Sequence, residues 1–250
     1  SGTHRRGTVF NVTSDEWVNE QENIGFRGQL LWRATDTLDI TAAADFNRQN
    51  PECCAQIFVR TGLTQRALNR QYWALADAFG YAPPSTDAFD RLTDLDADLR
   101  AEQELGGASL RAVWDVGSGT FTSVTAWRYW DWNPSNDRDF TGLPITTISA
   151  NPSRQDQFTQ ELRYSAATDK LDYVVGLFGF YQTLDTSGVQ EQGPAASRWL
   201  LGPAGTDPSV LDGLRSENDI SFKNVSAAAF GQVGWRPTPR LRLQLGLRLN

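Results

Sequence analysis

The stretch 241–250, LRLQLGLRLN, decides the fold. Leu241, Leu243, Leu245, Leu247 and Leu249 hold every odd position, and Arg242, Gln244, Gly246, Arg248 and Asn250 hold the even ones. A helix, repeating every 3.6 residues, would spread these leucines around its circumference. A strand repeats every two, so the leucines share one face and the polar groups the other. The apolar face runs unbroken for the roughly 9–11 residues that a tilted strand needs to cross a bilayer. Apolar toward lipid and polar toward a wet interior is the pattern of a membrane-barrel strand.

Working back from this stretch, nine strand-like segments can be read, at 7–12, 22–34, 38–49, 100–114, 120–132, 155–165, 171–184, 220–235 and 240–250. Leu38, Ile40, Ala42, Ala44 and Phe46 face one way, and Asp39, Thr41, Asp45 and Asn47 the other. Phe158, Leu162 and Tyr164 likewise oppose Thr159, Glu161 and Arg163. Four connections, at 35–37, 115–119, 166–170 and 236–239, are short and carry the Asp, Gly or Pro that a chain reversal needs. The others, at 13–21, 50–99, 133–154 and 185–219, are long. Strict alternation of short and long places all the tight turns at one end, as in outer-membrane barrels. Trp32, Trp114, Tyr164, Tyr173 and Trp235 stand beside the short turns. Trp127, Tyr129, Trp130 and Trp132 lie near the opposite end of their strand, with Phe178, Phe180 and Tyr181 on another. Two such bands flanking an apolar belt read as interfacial girdles.

The 50–99 connection is too long for a structureless loop. Leu68, Tyr72, Leu75, Ala76 and Phe79 have helical spacing, which predicts a helix over 63–79, and a second over 87–99 starting after Ser85 or Thr86. This region is expected to be a partly helical insertion in an extracellular loop of one barrel domain spanning 1–250. Asp94, Asp96 and Asp98 alternate as in a calcium loop. The pattern fails at Leu99, where glycine is required, and at Leu105, where the bidentate glutamate belongs; a solvated acidic helix face is the better expectation.

Composition narrows the function. The net charge of −7 offers no basic stripe for nucleic acid. No apolar run approaches the length of a membrane helix. The single histidine, His4, has no partners from which to build a triad, and neither an enzyme nor a cofactor is expected. Cys53 and Cys54 are candidates for a disulfide, with each other or with a cysteine elsewhere, in an oxidising compartment.

The segments also resemble a known family. Phe158 to Ser165 (FTQELRYS), a turn, and Lys170 to Tyr181 (KLDYVVGLFGFY) resemble a hairpin of TonB-dependent outer-membrane receptors. Arg27 to Leu31 (RGQLL) followed by Thr35 and Asp36, Thr122 to Arg128 (TSVTAWR), and Ala229 to Trp235 (AFGQVGW) leading into the leucine strand fit the same mould. The resemblance implies the central part of such a receptor's barrel, without its plug or C-terminal strands. It also implies outer-membrane lipid around the wall and a scarce small-molecule ligand: a metal chelate, a vitamin or an oligosaccharide. A TonB-type coupling protein is implied for the full-length receptor only. Ligand contacts are expected from Trp130, Trp132, Trp199 and the 50–99 insertion, while Glu161, Arg163, Arg242 and Arg248 project into the lumen. The alternatives are a small outer-membrane barrel enzyme and a passive porin.

Overall fold

The structure is a computed structural model that describes all 250 residues. Eight long strands form an antiparallel meander: β4 (Gln21–Thr35), β5 (Leu38–Gln49), β7 (Arg100–Asp115), β8 (Thr120–Ser135), β10 (Ser153–Ala167), β11 (Leu171–Gln192), β12 (Arg215–Thr238) and β13 (Leu241–Leu249). The short β1 (Gly2–Arg5) pairs with the free side of β4, and β9 (Thr146–Ala150) pairs with the far end of β11, making a ten-stranded, open sheet. The registers put the short turns at one end: Leu38 stands opposite Trp114, Thr120 opposite Ser165, and Leu171 opposite Trp235. No helix is long and apolar enough to cross a membrane, which says nothing about crossing with strands.

The wall is one layer thick. Only 29 of 250 residues are buried, far fewer than a two-layer soluble domain of this length requires. Of 152 backbone hydrogen bonds, 118 lie within helices and strands, so the backbone ladder, not a packed core, holds the wall together. The leucines of β13 are 48–72% exposed. Register extends their face across the sheet. Leu249 aligns with Ala229, Leu177 and Leu162, and Leu247 with Gly231, Val175 and Tyr164. On the polar face, by contrast, Thr122 is 4% and Ala228 7% exposed. Crowding on one side and splaying on the other is the asymmetry of a sheet curved toward its polar, inner face.

Strand parity revises the girdles. Trp32, Trp114, Tyr164, Tyr173 and Trp235 all lie on the outer, apolar face near the turns. At the far end Trp127, Tyr129, Phe158 and Tyr181 lie on that face, but Trp130, Trp132, Phe178 and Phe180 lie on the inner one. The period of two assigns them there, since neighbours along a strand cannot share a face.

The segment 7–12 is not a wall strand. Its centre forms β2 (Val9–Asn11), which pairs antiparallel with β3 (Glu16–Val18) and parallel with β6 (Leu92–Thr93) in a separate small sheet. The first helix is shorter than its spacing predicts: α1 is Tyr72–Phe79. The Gln71 side chain explains the late start. It accepts from the Thr64 backbone N–H at 3.0 Å and donates to the Thr64 carbonyl at 3.0 Å, tying 64–71 into a loop that ends in a single 3₁₀ turn, Leu68–Arg70. Gly80, at φ +63°, closes the helix in the left-handed conformation. The expected second helix reduces to one 3₁₀ turn, Ala88–Asp90, capped by the Asp87 side chain and ended by Arg91 at φ +53°. A further short helix, α2 (Ala196–Leu201), lies in the loop after β11.

Candidate functional site

The long loops fold together into a cap at the end away from the short turns. The buried apolar residues sit here almost without exception. Val9, Val18, Ala55, Leu95 and Leu99 form one cluster, with Ile57 and Phe140 against it. Ile145, Ala195 and Ala196 form another, with Phe79, Leu143, Trp199 and Leu211 against it. Each cluster draws on several loops, so no loop folds alone. Polar ties join the same segments. Asn11 Nδ2 donates to the Leu95 carbonyl at 2.9 Å, the Ala55 N–H donates to Asn19 Oδ1 at 2.8 Å, and Arg70 donates to the Leu200 carbonyl at 2.8 Å. The apolar side of α1 finds its partner in Trp199 on α2: the ring centroids of Tyr72 and Phe79 lie 5.6 and 6.4 Å from it.

Carboxylates fasten the loop before β7 to the loop after β8. Asp137 is fully buried. One of its oxygens accepts from the N–H groups of Asp96 and Ala97 at 3.1 and 3.4 Å, the other from those of Asp139 and Phe140 at 3.2 and 2.7 Å. Asp139 accepts from Thr141 and from the Thr146 N–H at 3.0 Å, and Asp94 accepts from the Gly142 N–H at 3.2 Å. Asp94 and Asp96 therefore belong to a loop junction and not to a solvated helix face. Burial, with the neighbouring Asp137 charge, pushes Asp96 up to about 6. Burial pushes Asp139 up to about 7, against the hydrogen bonds from Thr141 and Thr146.

These shifts predict a pH dependence of the cap. Both groups hold their protons more tightly folded than unfolded. The folded cap therefore carries protons that the unfolded loops have already shed, and stability falls as pH rises from the ordinary aspartate range through the folded values. Amide exchange in 137–146, corrected for its intrinsic rate, should show more protection near pH 5 than near pH 8. Equal protection at both would remove Asp96 and Asp139 as the cause.

The remaining sequence candidates fall in different places. Trp130 and Trp132 lie at the outer end of β8 on the inner face, their rings stacked 5.6 Å apart, with Trp130 Nε1 donating to Gln103 Oε1 at 3.1 Å. Trp199 lies in the cap, and with Phe58, Tyr72 and the 45%-exposed Trp73 completes an aromatic cluster. Cys53 and Cys54 lie side by side in the cap segment after β5. Glu161, Arg163, Arg242 and Arg248 are on the inner face. Glu161 lies 3.8 Å from Arg163, and Arg242 lies 2.8 Å from Asp172. The sequence reading missed Asp137, Asp139 and the aromatic partners Phe58 and Trp73. The matching Asp-x-Asp spacings at 94–96 and 137–139 were the available signal for the first two.

An open meander with an apolar outer belt, a polar inner face and loops gathered at one end is a stretch of β-barrel wall. Its fold is that found within TonB-dependent receptor barrels. The ferric yersiniabactin uptake receptor FyuA from Yersinia pestis matches 99% of this chain with a TM-score of 0.64 at 16% identity, over 32% of its own length. The siderophore receptor PiuA from Acinetobacter baumannii matches 99% of this chain with a TM-score of 0.58 at 13% identity, over 37% of its own length. The chain thus spans about a third of the receptors it matches. No family model matches the sequence, and no curated protein does. The structural neighbours are transport receptors, not enzymes.

Proposed function

We propose that this chain is part of the wall and outer cap of an outer-membrane receptor that takes up a scarce ligand. The ligand class is a metal chelate, a vitamin or an oligosaccharide. In the full-length protein a TonB-type coupling protein supplies the energy, and outer-membrane lipid surrounds the apolar belt. The observation that carries the reading is the jointly folded cap. Loops left free for passive diffusion have no need of shared apolar clusters and carboxylate fasteners. A cap that holds aromatic side chains in fixed places suits capture of a ligand. Trp199 and the exposed Trp73 would meet the ligand in the cap, and Trp130 with Trp132 would meet it on the inner face below. A disulfide between Cys53 and Cys54 would stiffen the segment that carries Ala55 into the first apolar cluster.

Deleting 55–98 from the full-length protein tests this. The wall hydrogen bonds do not use that segment, and a shorter loop changes closure entropy only slowly. Barrel assembly should survive while energised uptake is lost. Unchanged uptake would remove the cap from the function. Loss of assembly, where other loop deletions are tolerated, would make the segment structural.

A further inference from the structure

The inner face of the wall is cationic although the chain as a whole carries −7. Register assigns the side chains. Asp39, Asp45, Asp115, Glu161 and Asp172 are the acidic groups on that face of the long strands. Four arginines there have carboxylate partners: Arg128 with Asp45 at 2.6 Å, Arg163 with Glu161 at 3.8 Å, and Arg236 and Arg242 sharing Asp172 at 3.1 and 2.8 Å. Four more have none. Arg27 stands opposite Asp45, whose carboxylate is turned to Arg128. Arg33 stands opposite Asp39 without an ion pair, and Arg111 lies between Thr41 and Val124. Arg248 lies 5.4 Å from the centre of the Phe178 ring and donates to Asn250.

These arginines are not gathered in one place. Arg33, Arg236 and Arg242 are close to the short turns, Arg111, Arg163 and Arg248 are further along their strands, and Arg27 and Arg128 are further still. The basic groups on this face are all arginine; the chain's two lysines, Lys170 and Lys223, lie in a turn and on the outer face. Guanidinium groups offer forked donors to carboxylate, sulfonate or phosphate oxygens and keep their charge at any working pH. A curved low-dielectric wall with one excess sign focuses its field inward and concentrates solutes of the opposite sign.

We propose that the inner wall is a track for an anionic solute, so that the ligand taken up carries a net negative charge in oxygen-rich groups. The inference deepens the uptake reading and rests on it. Arg27, Arg33 and Arg111 have no carboxylate partner within this chain and are the contacts offered to the solute, and Arg236 and Arg242, sharing the single carboxylate of Asp172, add one further positive charge near the short turns.

The probe is pyranine, a trisulfonated pyrene, followed by fluorescence anisotropy on the full-length protein in lipid. Binding should weaken as salt rises from about 50 to about 200 mM. The triple variant Arg27→Gln, Arg33→Gln, Arg111→Gln should lose at least about tenfold in affinity. The matching triple lysine variant should restore much of the binding, and Arg154→Gln on the outer face should leave it unchanged. A cationic dye of similar size that binds as tightly as pyranine overturns the proposal, as does a glutamine triple variant that binds like wild type. If wild type binds no pyranine and the glutamine variant has a lowered Tm, the arginines hold a segment of the protein itself, and the track is again overturned. The two readings separate cleanly. Pyranine binding through these arginines, with uptake untouched by the 55–98 deletion, leaves the track and removes the cap-based reading. Cap-dependent uptake without arginine-dependent pyranine binding does the reverse.

Discussion

Leu245→Arg is expected to cost the membrane-inserted protein about 2–4 kcal/mol. Leu245 sits midway along β13, 72% exposed, with Leu243 and Leu247 on the same face and Val233 opposite. In water such a side chain would be an aggregation hazard; in lipid it is in its proper solvent. An arginine there must either leave its charge in hydrocarbon or bend toward the interface, and the middle of the strand is where bending helps least. Leu241→Arg is the control. Leu241 lies beside the turn that follows Thr238, and its arginine can reach the headgroups, so its loss should stay below about 1 kcal/mol. Urea unfolding from lipid vesicles reads both. Equal losses at the two positions would mean that the leucine face does not lie across the thickness of a bilayer. The result would then count against the membrane reading of the whole outer face.

The sequence was most legible where two faces meet different solvents. The leucine strand and β5 alternate because one face is the exposed apolar outside of the wall and the other its polar, concave inside, and that contrast leaves a period of two. Where the contrast ends, the signal ends. β11 continues to Gln192 and β12 begins at Arg215, beyond the belt, and there both faces are polar, so alternation marked neither extension. β1 is held to β4 by backbone bonds, and its residues, Gly2 to Arg5, carry no pattern at all. The 7–12 segment erred in the opposite sense. Val9 and Asn11 are buried and Phe10 is half-buried, but by the cap and not by the wall. A three-residue alternation cannot say which surface supplies the burial. In the cap, helical spacing identified α1 correctly but not its start, because the Gln71 side chain overrides propensity through bonds to a loop several residues upstream. The site was less legible than the wall for a related reason. Asp94 and Asp137 come together only because two loops far apart in the chain fold against each other, and no local period encodes that.

Gly107→Val is expected to destabilise the wall by about 1–3 kcal/mol, and the reason lies in a cross-strand row. Asp45 on β5, Gly107 on β7 and Arg128 on β8 stand side by side. Arg128 reaches across β7 to Asp45 at 2.6 Å, and the missing side chain of Gly107 is what lets it pass. A Cβ at Gly107 would lie 2.8 Å from Arg128 Cδ and would collide with the Trp127 carbonyl oxygen. The first clash can be relieved by moving the arginine. The second is with backbone and can be relieved only by parting the strands. A looser version occurs at Gly234, where a Cβ would lie 2.5 Å from Asp172 Oδ2; here Gln244 stands opposite the glycine, and Arg242 reaches the carboxylate diagonally from two residues away on β13. Gly28→Val supplies the matched control. A Cβ there meets nothing within 4 Å, and a β-branched residue suits a strand, so its effect should stay within about 0.5 kcal/mol. The ion pair itself is half-exposed, so Asp45→Asn alone should cost no more than about 1 kcal/mol. Sterics and electrostatics can therefore be told apart: Gly107→Val should remain strongly destabilising in the Asp45→Asn background. If the valine costs no more at 107 than at 28, β7 and β8 do not pack as closely as the row requires. If its effect vanishes in the Asp45→Asn background, the ion pair and not the backbone approach is what glycine protects.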